Sequence, residues 1–201
     1  MGDELIYREG MRWLRDLKFY IDQMHAFNPQ PGEWWCFTRT LRGYVTFAPR
    51  ANHLYAFYYP VLRRMRFDRI GIHVHTASST SGAKARLGIY ADNGNFYPGK
   101  LILDAGEVDL TTTGQKEIEI NVVLDRGVYW LAYVSNVSDA YLRMVFGYPT
   151  PKGFSLSVAY VYGSYVYNLG SYPSSLPDPY PSGAGKGEYT WVLLRVAEVL
   201  E

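Results

Sequence analysis

A run of strand-like segments between Ala85 and Ser135 constrains this chain more than any other part of its sequence. Apolar residues recur there at every second position, as Leu87 and Ile89 do, which is typical of a strand with one buried face. The segment around Asn93-Gly94 provides the backbone conformations that a tight reversal needs. A second turn falls at 111–114, after which the period of two resumes. The pattern therefore predicts a β-meander.

From Glu33 onward the remaining sequence shows strand and turn signals and no second helical period. Short strands separated by Gly, Pro and Asn turns predict an all-β, antiparallel, jelly-roll-like β-sandwich. Apolar residues change parity within the fourth candidate strand, which predicts a bulge near Asp68 and Arg69. The candidate strands are 34–40, 44–47, 53–59, 64–76, 85–90, 101–108, 116–124, 127–135, 141–146, 155–162 and 189–199.

Residues 3–26 carry the one clearly helical pattern of the sequence, and they precede the candidate strands. Four apolar residues follow each other at spacings of three, four and three, which places them on one stripe. These residues are Leu14, Leu17, Ile21 and Met24. The stripe either serves oligomerisation, as a short trimerisation or docking helix, or packs on the chain's own sandwich. Prolines end the helix, so we expect an N-terminal helix with a Pro-rich linker over 1–30 and a β-sandwich domain over 31–201.

The composition limits the classes of partner. The 201 residues carry a formal net charge of +1, so there is no global field to attract nucleic acid. No run approaches the about 20 apolar residues of a membrane span, and the N-terminus lacks an apolar signal core. Cys36 is the one cysteine, which excludes an intrachain disulfide and suits a buried structural thiol. We expect a soluble chain that is made in the cytosol, with neither nucleic acid nor a membrane as partner.

A segment rich in Tyr, Pro and Gly at 163–188 departs from the rest of the chain and predicts a long irregular excursion from the sandwich. Tyrosine offers a rigid apolar face with a hydroxyl at its tip, which suits stacking on sugars and protein interfaces. We therefore predict four exposed contact residues for a ligand or partner. They are Tyr165, Tyr167, Tyr172 and Tyr180. The alternative is that Tyr160 and Tyr162, just before this segment, belong to a strand with one face in the core.

Catalytic and metal-binding patterns are incomplete. His73 and His75 lie on one strand face and resemble the His-x-His strand of cupin enzymes, but Ser79 and Thr80 stand where a glutamate belongs. The glycine-rich stretch 183–187 lacks the first glycine and the Ser or Thr of a phosphate loop, which indicates a flexible loop. There is no Gly-x-Ser-x-Gly elbow. The sequence predicts no enzyme, no catalytic residue, no metal and no cofactor.

The densest basic cluster comprises four arginines, one just before the fourth candidate strand and three within it. They are Arg63, Arg64, Arg66 and Arg69. Two interpretations remain open for them. The cluster contacts an acidic neighbouring subunit, or it is a solvated edge that discourages aggregation between sheets.

About half of the chain resembles virion proteins of tailed bacteriophages. The resemblance is carried by the runs 86–94, 97–99, 103–106, 108–109 and 127–132, with a further familiar stretch between 51 and 71. It implies a structural protein of the tail, fibre or capsid surface, located in the virion after synthesis in the host cytoplasm. It also implies a homo-oligomer, with a trimer favoured, that contacts other virion proteins and a host-surface glycan. A carbohydrate-binding β-sandwich module is the alternative, and a metal-dependent jelly-roll enzyme is the weakest one.

Overall fold

A computed structural model describes residues 29–35, 44–145, 164–187 and 192–200 of the chain. This part of the chain holds no helix that is long and apolar enough to cross a membrane. Its residues form twelve β-strands. The strands are β1 (Trp34–Trp35), β2 (Tyr44–Phe47), β3 (His53–Val61), β4 (Met65–Thr76), β5 (Lys84–Asp92), β6 (Pro98–Asp109), β7 (Gly114–Leu124), β8 (Gly127–Ser135), β9 (Tyr141–Val145), β10 (Ser164–Asn168), β11 (Gly185–Gly187) and β12 (Leu193–Val199).

The strands form two antiparallel sheets that pack face to face. The first sheet follows the order β1-β12-β4-β9-β2. β7 also belongs to it and pairs with the edge of β4 that lies opposite β12. The second sheet follows the order β11-β10-β3-β8-β5-β6. Apolar side chains from both sheets meet between them in the main core. The predicted all-β antiparallel sandwich is therefore confirmed.

The outer face of the second sheet is buried as well. Leu54 of β3 and Trp130 of β8 belong to a second apolar cluster on this face, which is separate from the main core. Because β8 is covered on both faces, its last six residues form an unbroken buried run instead of an alternating one. We call this outer surface, with the segment 169–184 that crosses it, the covered face.

The segment between β5 and β8 does not form a simple meander, which corrects the prediction. β5 and β6 do form a hairpin around the predicted turn, where Gly94 has a φ of 89°. After β6, however, the chain crosses to the first sheet, and β7 pairs with β4. Leu110 is fully buried at this crossing and donates its N–H to Ala83 O. Period two identifies a strand but not its partner, because the same pattern fits either sheet.

The predicted bulge in β4 is confirmed. The register of β4 against β7 shifts between Phe67 and Arg69. Asp68 lies at this shift and accepts hydrogen bonds from the Arg195 guanidinium of β12 at 2.9 and 2.8 Å. These hydrogen bonds hold the pKa of Asp68 below its ordinary value. The extra residue thus redirects a charged side chain toward the neighbouring strand.

The Tyr- and Pro-rich segment is not irregular throughout, which corrects a second prediction. Residues 164–168 form β10, which pairs with β3, and the glycine-rich stretch expected to be a flexible loop ends in β11. Between these strands the chain crosses the outer face of the second sheet and buries Leu176 against it. Composition alone could not show the ladder with β3, because that pairing joins residues far apart in the sequence.

Some predictions fall outside the described residues. They concern the N-terminal helix, the role of Cys36 and the candidate strand 155–162. The oligomerisation residues Leu14, Leu17, Ile21 and Met24 belong to the same group. All of these stay predictions.

Candidate functional site

Tyr180, which we predicted to be an exposed contact residue, is buried in the covered face. Only 3% of the residue is accessible, and its hydroxyl donates a hydrogen bond to Leu54 O at 2.8 Å. Its ring meets the Tyr90 ring edge-on, with the two centroids 5.3 Å apart. Burial raises the pKa of Tyr180 far above its ordinary value, so the phenol stays neutral and donates. The predicted exposure of Tyr180 is therefore wrong, because its ring fills the space between the crossing segment and the sheet.

Tyr165 lies on β10 and is half-buried at one end of the covered face. Its hydroxyl donates to Phe96 O at 2.9 Å, and its ring centroid lies 5.3 Å from that of Trp130. Trp130 in turn donates its indole N–H to Asp92 Oδ2 at 2.9 Å. These contacts tie the β5–β6 turn to β10 and close this end of the covered face.

Tyr172 lies at the opposite rim, within a network of charges. Its hydroxyl donates to Glu107 Oε1 at 3.1 Å, and Lys84 Nζ lies 5.3 Å from its ring centroid. Glu107 also accepts hydrogen bonds from Lys84 and Arg86, each at 2.9 Å. Burial alone would raise the pKa of Glu107, but the hydrogen bonds from Lys84 and Tyr172 outweigh it and hold the pKa below its ordinary value.

The same network fastens the crossing segment to the sheet. Arg86 Nη1 lies 3.0 Å from Asp104 Oδ1, and both side chains are mostly buried, with 14% and 20% exposed. The second carboxylate oxygen of Asp104 accepts the backbone N–H of Leu176 at 2.9 Å. Both carboxylate oxygens of Asp104 thus have partners, whereas Arg86 Nε is buried without a hydrogen-bond partner among the described residues. The charge pair holds Leu176 over the sheet.

The four predicted contact tyrosines therefore do come together, but on a surface that the chain itself largely covers. Tyr167 packs against the same apolar cluster as the others. Tyr165, Tyr167 and Tyr172 are half-buried and keep part of their side chains accessible. Their role in contacting a ligand or partner stays a prediction.

A second site lies at one end of the sandwich, where two turns and the end of β12 meet. Arg63 and Arg64 come from the β3–β4 turn, and Arg126 comes from the β7–β8 turn. These three arginines line a depression of about 390 Å³. Its remaining lining is apolar and consists of Leu62, Val199 and Leu200. We call this depression the arginine pocket.

The structure divides the predicted basic cluster into two parts. Arg66 pairs with Glu198 at 3.4 Å, and Arg69 pairs with Glu119 at 2.6 Å, so both belong to the polar outer face of the first sheet. Arg63 and Arg64 belong to the arginine pocket instead. Sequence reasoning missed Arg126, which the antiparallel pairing of β3 with β8 brings to the same end of the sandwich.

His73 and His75 lie on the outer face of β4, as the strand period predicted. His73 is half-buried and its Nδ1 has no hydrogen-bond partner among the described residues, whereas His75 is exposed. Burial, together with the nearby Arg143, lowers the pKa of His73, so its imidazole is neutral at pH 7. Among the residues that the structure describes, no three His, Cys, Asp or Glu side chains are grouped to hold a metal ion.

Comparisons of this chain with protein families, with curated proteins and with solved structures each find no match.

Proposed function

We propose that this chain is a non-enzymatic structural β-sandwich module of a virus particle, in its tail, its fibre or its capsid surface. The observation that supports this best is where the residues resembling phage virion proteins lie. The runs that carry the resemblance occupy β5, β6 and β8, which are direct neighbours in the second sheet, and the further stretch between 51 and 71 covers β3, the next strand of that sheet, and the first part of β4. Most of the resemblance is thus carried by neighbouring strands of one sheet.

The residues of this unit hold one another in place. Arg86 pairs with Asp104, and Asp92 accepts a hydrogen bond from Trp130. Gly88 allows β5 and the crossing segment to approach, since a Cβ there would lie 2.5 Å from Leu103 O and 2.2 Å from Leu176 Cδ1. Because the resembling residues have structural roles, the resemblance favours an architecture and a place in an assembly that this chain shares with those virion proteins. It does not favour a shared reaction.

Two strand edges suit assembly with further subunits. In the described part of the chain β6 pairs with β5 alone and β7 pairs with β4 alone, so each has one edge without a strand partner. Ile102 of β6 and Val123 of β7 are large apolar residues that are 39% and 44% exposed. Strand edges of this kind are places where another chain can pair. They support a homo-oligomer and contacts with other virion proteins, and we propose a trimer among the possible oligomers.

Location in a particle tests this proposal directly. Antibodies raised against the purified chain should label particles purified on a density gradient from cultures that produce it, as seen by negative-stain electron microscopy. Antibodies first absorbed with the purified chain serve as the control. Recovery of the chain in the soluble fraction alone, with no labelled particles, would refute the proposal.

A carbohydrate-binding module is the second candidate function. The partly accessible Tyr165, Tyr167 and Tyr172 favour it, because half-buried phenol rings present rigid faces to sugars. A glycan array should then show binding that Tyr167→Ala reduces. Binding that survives this change, or no binding at all, would leave the virion proposal as the better one.

A further inference from the structure

We propose that the arginine pocket binds an oxyanion, namely the carboxylate, sulfate or phosphate group of a small ligand. The inference does not depend on the virion proposal, because a free sandwich module could carry the same pocket. It rests on three observations: the charge at the rim, the weakness of the competing carboxylate, and the fixed apolar floor.

The rim concentrates positive charge with donors suited to oxyanions. Guanidinium groups present several N–H donors in one plane and bind carboxylate and phosphate groups in a bidentate way. Arg63, Arg64 and Arg126 all line the pocket, and all three are exposed. The Arg126 side chain makes no hydrogen bond or ion pair with any residue that the structure describes. Its five donors are therefore available to a ligand.

The carboxylate that already lies at the rim competes only weakly. Asp125 Oδ1 lies 3.1 Å from Arg64 Nε, and the two side chains are 79% and 56% exposed. Ion pairs this exposed contribute little to stability, because water solvates both partners well. A ligand oxyanion that contacts Arg64 and Arg126 together can displace Asp125, since it gains two partners where Asp125 has one.

The floor of the pocket is apolar and fixed by the fold. Leu62, Val199 and Leu200 supply it, and the Leu200 N–H donates to Arg64 O at 2.8 Å. This hydrogen bond joins the end of β12 to the β3–β4 turn, so the floor and the rim keep their relative positions. The volume of about 390 Å³ lies in the lower part of the range of ligand pockets. An acidic monosaccharide or another small organic anion has the size and the mixed chemistry that the pocket requires.

Titration of the full chain with four probes tests the proposal. The probes are sodium sulfate, inorganic phosphate, glucuronate and neutral glucose. Isothermal titration calorimetry measures the binding of each probe at one ionic strength, which is set with chloride. We expect saturable binding of at least one oxyanion and none of glucose. The probe that binds most tightly identifies the source of the anion as a sulfate, a phosphate or a sugar carboxylate. Raising the salt concentration should weaken the binding, because the site is open to solvent.

Four variants assign the binding to the pocket. Arg126→Gln and Arg64→Gln should each weaken it by roughly fivefold or more, since each removes a charge-assisted donor pair. Asp125→Asn should tighten it by about twofold or more, because it removes the competing charge and leaves all three arginines in place. Lys100→Gln is the matched control: it removes one exposed positive charge outside the pocket and should change the affinity by less than about twofold.

Several results would overturn the proposal. One is the absence of saturable binding of all three anions up to about 10 mM. Another is equal binding by glucose, or unchanged affinity in both Arg126→Gln and Asp125→Asn. A third is that the unaltered chain binds no anion while the Arg126→Gln variant has a lower solution mass than the unaltered chain. That result would mean that the arginines contact an acidic neighbouring subunit. Circular dichroism of every variant verifies that the fold is retained.

Discussion

Replacing Tyr180 tests whether the crossing segment 169–184 is part of the folded core. Tyr180→Phe keeps the ring and removes the hydroxyl that donates to Leu54 O at 2.8 Å. The lost hydrogen bond at a buried carbonyl should cost about 1–2 kcal/mol of unfolding free energy. Tyr180→Ala also removes the ring of a residue that is 3% exposed. That change should cost about 3–5 kcal/mol, as for other large aromatic residues in a core.

Urea unfolding monitored by circular dichroism measures both losses, and thermal unfolding provides a second reading. For a chain of this length each kcal/mol shifts the melting temperature by about 2–4 °C. Tyr180→Ala should therefore melt roughly 6–20 °C lower, and Tyr180→Phe roughly 2–8 °C lower. The slope of the unfolding free energy against urea concentration should be the same for the variants and the unaltered chain, since unfolding exposes the same surface in each.

The control is Tyr141→Phe on β9, where the tyrosine is 44% exposed. Its stability should change by less than about 0.5 kcal/mol, because solvent-exposed sites tolerate such substitutions. A Tyr180→Ala variant within about 1 kcal/mol of the unaltered chain would refute the reasoning, since core truncations cost more. It would mean that the segment does not pack on the sheet and that Tyr180 is free to contact a partner.

Three further predictions concern a close approach, a titrating turn and the oligomer. Gly88→Ala brings a Cβ within 2.2 Å of Leu176 Cδ1 and should cost about 1–3 kcal/mol in urea unfolding, whereas Gly185→Ala, whose nearest atom lies at 3.8 Å, should not destabilise. Equal stability of the two variants would contradict this. Hydrogen bonds from Thr111 and Thr112 lower the pKa of Asp109 from 3.8 to about 2, so the stabilisation it provides is present above about pH 4 and is lost as the pH falls toward 2. Asp109→Asn should therefore flatten the fall in stability between about pH 5 and 2, and an unchanged profile would count against that role. Deleting residues 1–30 should lower the solution mass in light scattering by more than the deleted residues weigh, because an apolar helical stripe needs a partner. A fall equal to the deleted mass would assign the helix to intrachain packing.

Local chemistry made much of the fold predictable. The Asn93-Gly94 hairpin and the bulge at Asp68 and Arg69 follow from backbone preferences and from the parity of apolar residues, which act within a few positions. The strand positions follow from period two, and β8 begins and ends at the predicted residues. The sequence also placed His73 and His75 on one face of β4, because side chains two apart on a strand share a face.

Contacts between distant residues decided the rest. The sequence could not show that β7 joins the first sheet, because period two is the same for every possible partner. It could not show that Tyr180 is buried, since the burial arises because the segment that carries Tyr180 packs on the apolar outer face of β3 and β8. Nor could it join Arg126 to Arg63 and Arg64, which the pairing of β3 with β8 brings together. The sequence by itself determined most of the strands and turns, with β10 and β11 as exceptions. Tertiary packing decided which surfaces remained for binding, because pairing and burial are properties of the whole chain.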